Sequence, residues 1–427
     1  MNFSESELIR KLALKIVPLL MLCYVVAYLE RVNVGFAALT MNQDLGFSAT
    51  TFAIGAGLFS AGYLLFEIPL SFLFNRFGAR WTFSRTMIAW GLVACAMAFI
   101  WDERSYFTLR FLLGVTEAGF SLGTIIYLSR WFPSRYRGRI LSLFILSLPL
   151  SSFIGAPLSG LLVSLPPVSG LRGWQLMFIL EALPAFALAA IVLLVLKEQP
   201  KHDASLSRDE IDWLERNTMP ETGHAGTGRF AFLKTLVDKR VLLFALGYLG
   251  ILLVHNSLGV WMPQMIRSIG FTTRETGLIT ALPYFCGMIG MLAWGRHSDR
   301  SGERMWHTLL AMITAAAGLA GAAVATSSPI KVACLCIAIT GSFSALAVFW
   351  TLPTAFLAGP GATAGVALIS SIGALSGLVG PVVIGFFKDH LGSYAMGMIA
   401  ISSLCVIAMG AIFTADRLGK PACQASP

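Results

Sequence analysis

Twelve apolar blocks, each close to the ~20 residues that carry an α-helix across hydrocarbon, limit this 427-residue chain more than any other feature. They lie near 16–38, 53–73, 86–100, 107–128, 140–163 and 174–196, then, after a polar stretch, near 240–262, 276–295, 308–326, 331–352, 364–387 and 395–414. Inside lipid every backbone donor and acceptor must be satisfied by the chain itself. That leaves helices or closed barrels and excludes an open sheet. Only 12% of residues are charged and 56% are apolar, against about 25% charged in soluble domains. The expected fold class is an all-α polytopic membrane protein with 12 transmembrane helices.

The net charge of +9 raises nucleic acid as a partner, and the placement of the 31 basic residues argues against it. Arg31 and Arg110 fall within apolar blocks. With the N-terminus in the cytoplasm, 23 of the others fall on the cytoplasmic side and six outside, the positive-inside bias of a membrane protein. No basic run is interleaved with aromatics, so nucleic acid is not an expected partner. The expected location is the inner membrane, multi-pass, with both termini cytoplasmic. Arg10, Lys11 and Lys15 precede a first block too long for a cleaved signal, so it reads as a retained helix. Cysteines 23, 95, 286, 334, 336 and 405 lie in apolar blocks and Cys423 in the tail, giving no disulfide framework or zinc spacing.

The polar stretch divides the chain into an N-terminal half (1–196), a cytoplasmic linker (197–235) and a C-terminal half (236–427). Within the linker, Ser207-Arg208-Asp209-Glu210 is a capping box that opens a short amphipathic helix with Ile211 and Leu214 on one side. A shift of 224 residues superimposes Leu45-Gly46-Phe47-Ser48 on Ile269-Gly270-Phe271-Thr272. The same shift places Arg76, Gly78 and Arg80 on Arg300, Gly302 and Arg304, and Pro157 on Pro381. The halves therefore read as two six-helix pseudo-repeats with a site between them near the midplane.

Ionisable groups within the blocks are the informative residues, since an unpaired charge there costs at least ~2.5–3.5 kcal/mol. They are Glu30, Arg31, Glu67, Arg110, Glu117, Glu181 and His255. Glu30 and Arg31 are about 100° apart on a helix and do not stack on one another. Arg110 and Glu117 share a face but stand ~10 Å apart along it. Partners must come from other helices, either as a structural salt-bridge set between helices 1 and 4 or as a functional cluster. Under the 224-residue shift His255 is the counterpart of Arg31, and His255-Asn256 interrupts an apolar run as a packing pair or a cavity pair. Trp350 and the pair Ser370-Ser371 are further pocket candidates. Gly155-Ala156-Pro157 and Gly380-Pro381 are expected to bend helices 5 and 11. His297, Asp299 and His307 invite a metal reading, but they belong to a loop motif, and no metal or other cofactor is expected.

Several segments together carry a resemblance. Ser71 to Arg80 (SFLFNRFGAR) and Gly295 to Arg304 (GRHSDRSGER) resemble the two copies of the loop motif of the major facilitator superfamily. Asp299 fits the motif's acid, whereas Asn75 and Ala79 depart from it. Residues 28–48, 110–120, 130–139, 173–185 and 341–350 resemble the anion:cation symporter family within it. The resemblance implies the major facilitator fold and proton-coupled uptake of a small organic carboxylate such as tartrate, an aromatic acid or a sugar acid. It also implies Arg31 as the substrate anchor, Glu30 and Glu117 as proton carriers beside Arg110, and Tyr28 and Tyr63 in the cavity wall. The loop residues Arg76, Gly78, Arg80, Asp299, Arg300, Gly302 and Arg304 take gating roles, and Glu67 and Glu181 structural or gating ones. Glu30 stands where the family usually has Asp. Ser370 and Ala374 stand where it commonly has Asn, which points to a less hydroxylated substrate. An exchanger or exporter of organic anions is the alternative. No nucleophile–base set or phosphate-binding loop suggests an enzyme, and the duplicated halves disfavour a channel. The expected partners are the organic anion and the lipid bilayer, and the expected state is a monomer.

Overall fold

A computed structural model describes residues 4–218, 237–357 and 362–418. Among them, twelve helices are long and apolar enough to cross a membrane. Spans 1 to 6 are Glu5–Leu45, Ala49–Leu70, Ala79–Phe99, Glu103–Trp131, Ser134–Val163 and Gly173–Val195. Spans 7 to 12 are Lys239–Arg267, Thr273–Ser301, Met305–Val324, Ser328–Phe356, Ala364–Leu391 and Ala395–Arg417. The only extended pairing described is an isolated bridge between Val168 and Leu171.

Several helices overrun the apolar blocks, span 1 by more than two turns at its start. Hydropathy marks where lipid begins, but a helix keeps its own hydrogen bonds beyond that point and stops where a cap stops it. Span 1 ends at Gly46, whose φ of +69° is a left-handed conformation that favours glycine. Span 2 opens on Ser48, whose hydroxyl accepts the Thr51 amide at 3.0 Å. Their counterparts 224 residues later behave alike: Gly270 has φ +105°, and the Thr272 hydroxyl accepts the Glu275 amide. Gly78 and Gly302, also 224 apart, both have positive φ.

The breaks in helical structure lie away from the glycine–proline pairs. Helical structure runs unbroken through Pro157 (Ser147–Val163) and Pro381 (Ser376–Leu391). Proline removes one ladder bond while its fixed φ stays helical. The interruptions fall earlier, at Leu146 and Leu375, where the amide of Leu375 bonds to Ile372 and that of Leu378 to Leu375, a tightened i→i+3 turn. Span 4 breaks after Glu117, at Ala118 and Gly119 (φ +85°).

The halves meet through spans 1 and 7, 2 and 11, and 5 and 8. Gly160 and Gly277 pack backbone to backbone, so a Cβ on Gly160 would fall 2.6 Å from Gly277 Cα. Small residues at such crossings give lipid-embedded helices their close van der Waals contact. At the same end, opposite the termini, Asp389 of span 11 accepts the amides of Ala49 and Thr50 at 2.9 and 2.7 Å, capping span 2 across the interface. The two halves are in close contact there.

The linker folds as its capping box dictates. The helix Arg208–Asn217 starts at Ser207, with Glu210 closing the box, and buries Leu214 and Trp213 in the cluster that holds Leu8, Ile9 and Leu12 of span 1. Lys15 clamps Asp203 at 2.6 Å. Arg229 and Cys423 lie outside the described residues.

Candidate functional site

At mid-height of span 1, consecutive side chains point to different neighbours because each residue turns the helix by 100°. Arg31 faces span 4, where its Nε donates to Glu117 Oε1 at 2.5 Å. Glu117 is 2% exposed and Arg31 21%. Three rings surround the guanidinium, Tyr63 at 4.6 Å, Phe59 at 5.3 Å and Tyr28 at 5.7 Å from its carbon, within cation–π range. Arg31 Nη2 is buried with no protein partner, and an unmet buried donor costs about 1–3 kcal/mol.

Glu30, adjacent in sequence, does not share that pair. It is buried, and neither carboxylate oxygen has a hydrogen-bond partner. One turn on, Asn33 donates its amide to Glu181 Oε2 at 2.9 Å, and Ser159 donates to Glu181 Oε1 at 2.7 Å. This ties spans 1, 5 and 6 together. Arg110 stays out of the ion pair: its Nη2 donates to the Ala56 carbonyl at 3.3 Å and its guanidinium carbon lies 5.1 Å from the Phe59 ring centre. Glu67 lies one turn from Tyr63 on span 2 and interacts with it.

The second half contributes neutral groups. His255 Nε2 and the Tyr28 hydroxyl are 2.9 Å apart, a hydrogen bond from span 7 to span 1 across the interface. The His255 ring also meets Phe343 edge-on at 4.9 Å. Asn256 turns instead to Ser376, donating at 2.7 Å within its own half. Trp350 packs against Tyr248 at 5.0 Å, and Tyr248 stacks on Phe349 at 4.9 Å. Ser370 and Ser371 are half-buried on span 11.

Three polar residues of this region were not singled out from the sequence. Tyr248 and Ser376 are the 224-residue counterparts of Tyr24 and Ser152, so the repeat carried the signal for both. Tyr284, buried on span 8, interacts with Ser152 across the interface. It had no such marker.

The loop motifs frame the end that carries the termini. In the second copy Arg304 holds Asp299 at 2.7 Å and also donates to Ser298. In the first copy Glu198, from beyond span 6, accepts the amides of Ala79 and Arg80 at 2.6 and 3.1 Å. Arg76 lies over Phe77 at 5.4 Å. His307 is engaged by Glu303 at 2.8 Å and by His297 at 2.7 Å.

Two six-helix halves in contact, one of which buries an ion pair facing the other's neutral polar groups, fit the layout of an alternating-access carrier. Residues 20–381 match the family profile described as Major Facilitator Superfamily. The chain belongs to that superfamily. It is 46% identical over 406 residues to a protein of Agrobacterium vitis described as "Putative tartrate transporter", covering 95% of this chain and 90% of that one. A "Quinolone resistance transporter" of Acinetobacter baumannii is 39% identical, covering 96% and 94%. "Putative metabolite transport protein NicT" of Pseudomonas putida is 37% identical, covering 96% of each. Among solved structures, an inward-facing, unoccupied bacterial homologue of the human lysosomal transporter Spinster superposes with TM-score 0.78 at 16% identity, covering 94% of this chain and 96% of that one. A D-xylose-proton symporter superposes with TM-score 0.74 at 12% identity, covering 95% and 97%. The superpositions establish the fold, and the sequence relatives place this superfamily member among transporters rather than enzymes.

Proposed function

We propose that this carrier imports a small organic carboxylate together with protons across the inner membrane, with both termini in the cytoplasm and the end where the halves are in close contact facing outward. The observation that carries the reading is the Arg31–Glu117 pair with the free Arg31 Nη2 beside it. In the empty carrier Glu117 neutralises the guanidinium. A proton on Glu117 removes that charge and frees the planar fork of Arg31 to hold an incoming carboxylate by two hydrogen bonds, a geometry lysine lacks. Proton and substrate then load together. Glu30, with no donor to stabilise its charge, is the second proton carrier, and Tyr28, Tyr63 and His255 line the place where the anion sits. The tartrate description of the Agrobacterium vitis relative agrees with a carboxylate substrate.

Efflux or exchange is the second reading, favoured by the quinolone-resistance relative. Proteoliposomes with an imposed pH gradient separate the two. Uptake of labelled tartrate or an aromatic acid should follow protons into the vesicle, with no counter-substrate inside. Accumulation that requires preloaded substrate, or that runs against the proton flow, would replace symport by exchange or export. Reporter fusions after Pro427 and within 200–225 should read cytoplasmic.

A further inference from the structure

Away from the central site, the end of the second half opposite the termini holds a cavity of about 280 Å³. It opens among the ends of spans 7, 9, 10, 11 and 12, and its polar wall includes Lys331, Lys388, Ser268, Ser393 and Tyr394. No acidic residue lines it among the described residues. The Lys388 ammonium donates to the Gly392 carbonyl at 2.8 Å and lies 4.7 Å from the Tyr394 ring centre. Neither lysine is ion-paired to an acid among the described residues, whereas Arg172 at the same end of the molecule is paired with Asp44.

We propose that this cavity is an oxyanion site, separate from the central one, for a phosphate or carboxylate group. Two ammonium groups line one small cavity with no acid among its described lining residues to balance them. The 23-residue span 12 begins in the same wall, at Ala395, adding the positive end of its dipole. Lys331 lies in the first turn of span 10 and Lys388 in the last turn of span 11, the level at which lipid headgroups meet the protein. The volume suits one headgroup phosphate or a small dicarboxylate and is below the usual range for drug-sized ligands. The site adjoins the contact between the halves, because Lys388 precedes Asp389, the residue that caps span 2 across the interface.

An anionic lipid and a free anion share this chemistry, and two measurements on the purified full chain separate them. Native mass spectrometry compares retention of phosphatidylglycerol with phosphatidylcholine. Titration with inorganic phosphate, in nanodiscs of zwitterionic lipid only, reads the free anion. Near a membrane each lysine contributes about fivefold in affinity for an anion. Lys331→Gln with Lys388→Gln should therefore weaken binding by roughly tenfold or more in at least one arm. Arg31→Lys, which alters only the central site, should leave that binding intact, so this test stands even if the central reading fails. Lys331→Arg, which keeps the charge, should retain it and controls for misfolding. A double variant that matches wild type in both arms, or a wild type that binds in neither, overturns the proposal.

Discussion

The two halves of the central site are built on one scaffold and differ in charge. Under the 224-residue shift Arg31 of span 1 corresponds to His255 of span 7. Arg31 sits in an ion pair with Glu117, while His255 makes a neutral hydrogen bond to Tyr28 and packs on Phe343. The turns and caps were kept by both copies because the fold needs them twice. The charged chemistry stands in one copy only. A single buried ion pair can be opened by one proton, whereas like pairs in both halves would double the desolvation cost for the same event. On the proposed reading, the first half would sense the proton and grip the anion, and the second half would shape the pocket.

The sharpest break of that asymmetry is Arg31→Lys. It keeps the charge and loses the fork, and truncating a desolvated charge partner typically costs ~2–5 kcal/mol. Substrate affinity should fall roughly 30-fold or more in a protein that remains inserted and monodisperse, measured by direct binding. Wild-type affinity would move the anchor away from span 1.

Next in size is the coupling. Glu117→Gln should still bind and exchange substrate but fail to concentrate it under a proton gradient. Wild-type affinity should rise as the pH falls, because protonation of Glu117 releases Arg31, and the variant's affinity should depend less on pH. Glu30→Gln should likewise lose proton-driven accumulation. If both variants still concentrate substrate, neither acid is in the coupling.

On the other side of the comparison, Tyr28→Phe removes one neutral hydrogen bond to His255, a loss of about 0.5–1.5 kcal/mol. Transport should change by less than about tenfold, in KM more than in turnover, with coupling intact. An uncoupled Tyr28→Phe carrier would show that the second half takes part in proton handling.

The smallest effect is expected at the linker. Burial pushes the Asp203 carboxyl up, but hydrogen bonds from Lys15 and Ser205 outweigh it and hold it below the usual carboxylate range. The sign follows: docking strength is complete above the ordinary carboxylate value of about 4 and is lost as pH falls through the lower folded value. Acidification, or Asp203→Asn at neutral pH, should expose the segment around Arg208–Asn217 to protease and shift Trp213 fluorescence. Transport should change by less than about twofold, as is usual for a lost contact of at most ~1 kcal/mol. Unchanged proteolysis in Asp203→Asn would leave the docking to Trp213, Leu214 and the Lys11 contacts with Ser205 and Glu210.

The sequence by itself determined the twelve spans, the linker helix and the paired turns at Gly46 and Gly270, because each follows from local pattern: hydrophobic length, a capping box, a glycine after a helix. It also named Arg31, Glu117 and His255, since buried ionisable groups are costly enough to stand out in an apolar run, while Tyr28 came from the family resemblance. Only the tertiary structure decided who meets whom. Glu30 and Arg31 are neighbours in the chain, yet a 100° turn sends Arg31 to Glu117 and leaves Glu30 without a partner. Arg110 shares a helix face with Glu117 yet turns to a backbone carbonyl. The breaks at Gly119, Leu146 and Leu375, and the Asp389 cap across the halves, carry no periodic signature. Helix rotation and inter-helix contact are set by side chains distant in sequence, and no local rule reads a distance between them.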